Sequence, residues 1–165
     1  MKRFYFAILS VIGAGFLAGC VVPAPAPAKR QAAFVESEFA PYAGAGTSTV
    51  TGQAFLKTRG GEVRFGAGCE VVMVPVTSYT TETHQRAVMG GERLGPHDSR
   101  YATYRRTTIA DGNGNFEFRN VPAGEYYLDC VIQWEYPTQY GPAPTGGAAF
   151  GQVRVTSGET VKVVL

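Results

Sequence analysis

The chain has 165 residues, with 15 Lys+Arg against 13 Asp+Glu and a formal net charge of +2. Lys2 and Arg3 make up the excess, so without the N-terminal segment the basic count falls to 13, equal to the acidic count. A chain so balanced has no basic footprint, which removes the electrostatic case for nucleic acid as a partner. Twenty-one Gly and ten Pro point to turns and strands rather than long helices.

Met1-Lys2-Arg3 places two positive charges before an apolar or small run from Phe4 to Leu17. These are the basic and apolar regions of a secretory signal peptide. The run is too short and too rich in Gly and Ala for a membrane span, which takes about 20 apolar residues. It ends in Leu17-Ala18-Gly19-Cys20, which resembles the lipobox of bacterial lipoproteins. The resemblance implies cleavage after residue 19, a diacylglyceryl thioether on Cys20 and an acyl group such as palmitate on its freed amine. Several acyl chains, at about 0.8 kcal/mol per buried methylene, would hold the chain firmly on a lipid bilayer. Val21 rather than Asp follows the Cys, which by the sorting rule of such lipoproteins favours the outer membrane of a two-membrane host. The expected localisation is the cell envelope.

Residues 20–47 read as the lipidated Cys followed by a disordered tether, because Pro and Ala alternate at first and small or polar residues follow. Such a stretch spans at most about 80 Å extended and about 30 Å as a coil, enough to lift a domain off the headgroups.

From residue 48 to 165 the texture is all-β. Val50 to Leu56 and Cys69 to Val76 are β-rich, and Thr77 to Arg100 is a polar stretch with no clean period. Tyr101 to Ile109 reads as a strand rich in Tyr, Thr and Arg. Asp111-Gly112-Asn113-Gly114 is a hairpin signal leading into the alternating Asn115–Phe118. Tyr126, Leu128, Cys130, Ile132 and Trp134 alternate with more polar neighbours, the period-two mark of a strand with one apolar face. Pro137 to Gly147 reads as a Gly/Pro loop, and Phe150–Val155 with Thr160–Leu165 as a last hairpin. About seven strands and no helix after the signal predict a two-sheet sandwich.

Three stretches carry a family resemblance. Gly66-Ala67-Gly68-Cys69-Glu70-Val71-Val72-Met73-Val74-Pro75 is similar to the G-A-x-V-x-L-x-P strand of carboxypeptidase regulatory-like domains. Thr108 to Phe118 resembles their T-x-x-D-x-x-G-x-F-x-F signature, and Val121-Pro122-Ala123-Gly124-Glu125-Tyr126-Tyr127-Leu128 their Pro-Gly-Tyr turn. The likeness covers most of 48–165. It implies an immunoglobulin-like or transthyretin-like sandwich of seven strands, without catalytic residues of its own. The chain departs from that pattern by a long insertion over 77–107.

Candidate chemistry is sparse. Cys69 and Cys130 both fall on inward-facing positions, which leaves an inter-sheet disulfide and a pair of buried thiols equally open. Asp111, Asn113 and Asn115 lack the Gly and Glu that an EF-hand needs at its sixth and twelfth positions, so the run reads as a turn. His84 and His97 stand in the irregular stretch without metal-ligand spacing. No metal site, cofactor or catalytic motif is expected. Tyr79, Arg93, Arg100, Tyr101, Tyr104, Arg105 and Arg106 form the one candidate binding set, since aromatic and guanidinium groups together suit an envelope protein or a glycan. The sequence thus reads as a non-catalytic binding or structural module. The alternative is a hydrolase on a transthyretin-like scaffold, with His84 or His97 meeting an Arg or Asp in a pocket.

Overall fold

A computed structural model describes residues 26–165; the signal segment 1–19 and Cys20 lie outside them. Nine strands form the domain: β1 Ser48–Gln53, β2 Phe55–Lys57, β3 Val63–Phe65, β4 Glu70–Pro75, β5 Arg106–Ile109, β6 Asn115–Val121, β7 Gly124–Thr138, β8 Gly141–Val155 and β9 Thr160–Val164. One sheet has the order β6-β1-β9 and faces a second of order β5-β4-β7-β8, with β2–β3 as a separate hairpin. The architecture is an all-β sandwich, as the alternating patterns require. Its two extra strands come from β1 and β2 parting at Ala54 and from the short β3.

The core is built from alternation. Val50, Phe116, Phe118 and Val121 point inward from one sheet, and Val71, Met73, Tyr126, Leu128, Cys130 and Ile132 from the other. Gly114 takes φ +78° at the Asp111 turn, a conformation that L side chains rarely adopt. Asp111 Oδ1 accepts the backbone N–H groups of Asn113 and Asn115, both at 2.8 Å, so its carboxylate serves the turn. Tyr126 is 1% exposed, and its hydroxyl donates to the Pro122 carbonyl at 2.8 Å.

Three expectations are corrected. The stretch Pro137 to Gly147 is not a loop: β7 and β8 pair without interruption from Gly124↔Val155 to Thr138↔Gly141. The insertion, expected to hold no helix, is helical in part: Ser78–Glu82 (α2) runs into a π-helical segment, Thr83–Met89, and Tyr101–Tyr104 (α3) is a helical turn rather than the start of a strand, while 90–100 has little regular structure. Thr77 caps α2 reciprocally with Thr80, a local signal that the Thr-rich composition hides. Nor is the stretch before β1 a disordered tether.

Residues 28–47 are docked, not free. Glu36–Phe39 (α1) and a 3-10 turn at Ala40–Tyr42 lie against the insertion, and Phe39 is fully buried. It stacks on Phe34 at 4.3 Å between centroids and 11° between planes, and meets Tyr104 at 4.9 Å. Phe39, Val74, Tyr79, Tyr101, Tyr104 and Tyr127 make a second core on the outer face of the four-stranded sheet. β7 is therefore buried on both faces at Tyr126–Leu128, inside the sandwich and beneath the insertion. The composition of 28–47 suggested a tether because its large apolar residues are few; its rings, Phe34, Phe39 and Tyr42, all pack into or against this second core.

Polar contacts complete the docking. Glu82 accepts the backbone N–H groups of Gln31 and Ala32 at 2.8 Å each and pairs with Arg86. Those bonds, the one from Gln31 first, hold its carboxyl below the ordinary range. Glu38 accepts from Ser78, and Glu36 from the Tyr104 hydroxyl at 2.8 Å. Ala28 bridges Leu94, with its N–H on the Arg93 carbonyl at 2.8 Å.

Candidate functional site

The seven residues singled out by composition do not make one open surface. Tyr79, Tyr101 and Tyr104 point into the second core and are no more than 9% exposed. Arg100 binds Asp98 through both oxygens at 2.9 Å and lies over the Phe34 ring at 4.4 Å. Arg105 reaches Glu70 at 3.0 Å, and Arg106 donates to the carbonyls of Gly44 and Asn120. Arg93 keeps its side chain exposed. Most of the set thus fastens the insertion and the docked N-terminal segment to the sandwich.

The histidines are placed by stacking. His84 lies flat on Tyr127 at 4.2 Å, and burial lowers its pKa. His97 lies flat on Tyr101 at 4.0 Å, with Nδ1 3.2 Å from the Tyr79 hydroxyl and Nε2 3.1 Å from Arg30. Because Arg30 can only donate, Nε2 accepts and the ring is neutral, with its proton on Nδ1. Burial, then the charges of Arg30 and Arg105, push its pKa down to about 4. His97 thus does meet an arginine, but both ring nitrogens are already engaged within the fold. Under the same insertion, burial raises Asp129 to about 6 against the opposing pull of Arg105. Among the described residues no three of His, Cys, Asp and Glu gather as metal ligands.

Cys69 and Cys130 are free thiols in the structure. Cys130 is 1% exposed, and burial together with the neighbouring Cys69 pushes its thiol well up. Cys69 is partly exposed in the turn that leads into β4.

The open feature of the molecule lies elsewhere, at the far end of β7–β8. These strands have 15 residues each, whereas β1, β6 and β9 have five to seven. Beyond Ile132 the inner face of the long hairpin has outrun the facing sheet, and only the β2–β3 hairpin stands opposite. Trp134, half-buried against the core, and the exposed Tyr136 continue the inward alternation onto this floor. Tyr136 is 62% exposed, and Tyr140 at the tip 92%. Small partners on β8, Thr145 opposite Trp134 and Ala143 opposite Tyr136, keep the floor low. Gly146 has a backbone at φ +154° where a Cβ would fall 2.1 Å from the Ile132 carbonyl oxygen, so only glycine fits beside Trp134.

The result is a groove of about 730 Å³ between the two hairpins, walled by Thr58, Arg59, Glu62 and Arg64. Arg64 pairs with Glu62 at 2.9 Å and sits 5.9 Å from the centroid of the Trp134 ring. Its Nε–H is buried without an acceptor. A second depression, about 740 Å³ on the outer face of the three-stranded sheet, is lined by Thr51, Glu117, Arg119 and Lys162. The only ring there is that of Phe116, which faces the core. An exposed and a half-buried ring beside convergent polar groups make the first groove, not the second, the candidate ligand site. Sequence reading missed it because Pro137–Gly147 looked like a loop; the signal was the alternation of Ile132 carried on through Trp134 and Tyr136.

No protein-family model matches the chain, and neither does any curated protein. Among solved structures, the major pilin subunit of Bacillus cereus matches 73% of this chain but only 29% of its own, at 16% identity and a TM-score of 0.42. A candidate carbohydrate-binding protein from Pseudomonas aeruginosa matches at 27% identity with a TM-score of 0.71, covering 80% of this chain and 96% of that one. The chain is therefore an all-β sandwich similar, over most of its length, to a candidate carbohydrate-binding protein.

Proposed function

We propose that this protein is a non-catalytic glycan-binding module held at the cell envelope by a lipid on Cys20. The observation that carries the binding role is the groove of Trp134 and Tyr136, an aromatic floor with a polar wall. A sugar ring offers an apolar face that stacks on such rings and a rim of hydroxyls for the wall. The likeness to the Pseudomonas aeruginosa protein supports the same class of ligand. The carboxypeptidase regulatory-like assignment is favoured by its motif residues: Phe116, Phe118 and Tyr126 are buried, and Gly114 has the positive φ its turn needs. Trp134 is the only tryptophan of the chain, so its fluorescence reports on the groove directly. A glycan panel titrated against the protein should quench or shift that emission; a panel that leaves it unmoved, with no heat of binding, removes the glycan reading.

The anchor rests on the lipobox, and its reach is bounded by the docked segment. Docking begins at Ala28, so the eight steps from Cys20 reach at most about 29 Å when fully extended. A lipid on Cys20 would hold the domain against the headgroups rather than clear of them. Cys20→Ala should move the protein from the membrane to the soluble fraction of lysed cells. Retention of the variant in the membrane would end the lipoprotein reading.

A further inference from the structure

Resting on that glycan-binding reading, we infer that the groove takes a neutral, linear glycan, laid along β7 with successive sugar units on Trp134 and Tyr136. Residues two apart on one strand face stand about 7 Å apart. Two rings at that spacing along one line suit a repeating, elongated ligand better than a single compact sugar.

The charges of the groove argue for neutrality. Arg59 and Arg64 face Glu62 and Glu135, two of each sign, so the site has no net field to attract a carboxylated or sulfated polymer. Arg64 is already matched by Glu62 at 2.9 Å. A ligand carboxylate on Arg64 would be a second anion on one guanidinium, beside Glu62. Glu62 takes only Nη2 of this guanidinium, whose side chain is 41% exposed. A sugar hydroxyl oxygen can accept from a remaining guanidinium N–H there without adding charge. Glu62 and Glu135 are acceptors for hydroxyl protons on the same rim.

An extended peptide is the other elongated ligand, and the hairpin is built against it. Pro137 pairs with Pro142, and Pro144 with Glu135. Proline has no N–H, so both outer edges of the hairpin have gaps in the donor row that an added strand would use.

The test uses the full mature chain in detergent, titrated calorimetrically with cello-, malto- and xylo-oligosaccharides of about six units, with oligogalacturonate of matched length, and with a proline-rich peptide. We expect a neutral oligosaccharide to bind, with affinity changing less than about twofold between about 0.05 and 0.5 M NaCl. Trp134→Ala should weaken it at least about tenfold, and Tyr136→Ala, an exposed position that leaves the fold intact, about threefold or more. Arg64→Lys keeps the charge but not the fork, and should also weaken binding. Tighter, salt-sensitive binding of oligogalacturonate, or binding of the peptide alone, overturns the proposal. Neutral binding that survives both aromatic variants also overturns it but leaves the glycan-binding reading intact. If no carbohydrate binds, both fall together.

Discussion

Phe39→Ala decides whether residues 28–47 belong to the domain. Phe39 has no exposed surface, and its ring is held by Phe34 at 4.3 Å, Tyr104 at 4.9 Å and Tyr79 at 6.4 Å. Cutting a buried Phe to Ala costs about 3–5 kcal/mol, through lost transfer energy and the cavity left behind. The docked segment cannot collapse easily into that cavity, since Glu36, Glu38 and Ala28 fix it on both sides through Tyr104, Ser78 and Leu94. The upper half of the range is therefore expected. Urea unfolding of a soluble version beginning at residue 21, followed by Tyr fluorescence and circular dichroism, measures it. Val35→Ala, at a neighbour that is 40% exposed, serves as the control and should stay within about 0.5 kcal/mol of the parent. A loss below about 1 kcal/mol for Phe39→Ala would mean the segment is a tether after all, and the second core would have to stand without it.

Tyr126→Phe removes the hydroxyl that donates to the Pro122 carbonyl and leaves that buried acceptor unpaired; urea unfolding should register a loss of about 1–2 kcal/mol, and none if the carbonyl finds water. Asp129 and His97 pull stability in opposite directions with pH. Asp129, raised to about 6, keeps a proton that the unfolded chain releases near its ordinary ~3.9, so its contribution falls as pH rises from about 4 to 6. His97, lowered to about 4, refuses a proton that the unfolded chain takes up near ~6.5, so its contribution rises with pH over about 4 to 6.5. Relative to the parent at each pH, Asp129→Asn should therefore gain stability as pH rises through this window and His97→Gln should lose it; parallel profiles for all three proteins would refute both assignments. In the native fold a maleimide should label Cys69 well before Cys130, and equal rates would place Cys130 at the surface.

The sandwich was legible because its signals are local and repeat. Alternation from Tyr126 to Ile132, the Asp111–Gly114 turn and the Phe116/Phe118 pair each name a strand or a corner without knowledge of the rest. The second core was not legible, because its rings are scattered between Phe34 and Tyr127 and only Tyr127 lies on a periodic run, on the face that read as the more polar one. Tyr79, Tyr101 and Tyr104 looked like a surface set since the element that buries them, Glu36–Phe39, is only four residues long and sits in a stretch of tether-like composition. Prolines misled in the other direction. Pro137, Pro142 and Pro144 read as loop formers, yet on an outer edge a strand loses no ladder bond to proline, and the hairpin runs through all three.

The docked N-terminal segment and the uncovered hairpin bear on one another under the proposed function. A groove open along one side makes few contacts per ligand, so a single site should bind weakly, as shallow sites do. A polymer of neutral sugars repeats, however, and a lipid on Cys20 would confine many copies to one surface. With a reach of at most about 29 Å, each domain samples only a thin layer above the bilayer, and a chain captured by one copy meets the next at high effective concentration. Lengthening the link between Cys20 and Ala28 would dilute that layer and weaken polymer capture by cells, while leaving the binding of a short oligosaccharide to the isolated domain unchanged. The short leash would then matter as much as Trp134, because it converts a weak groove into a strong surface.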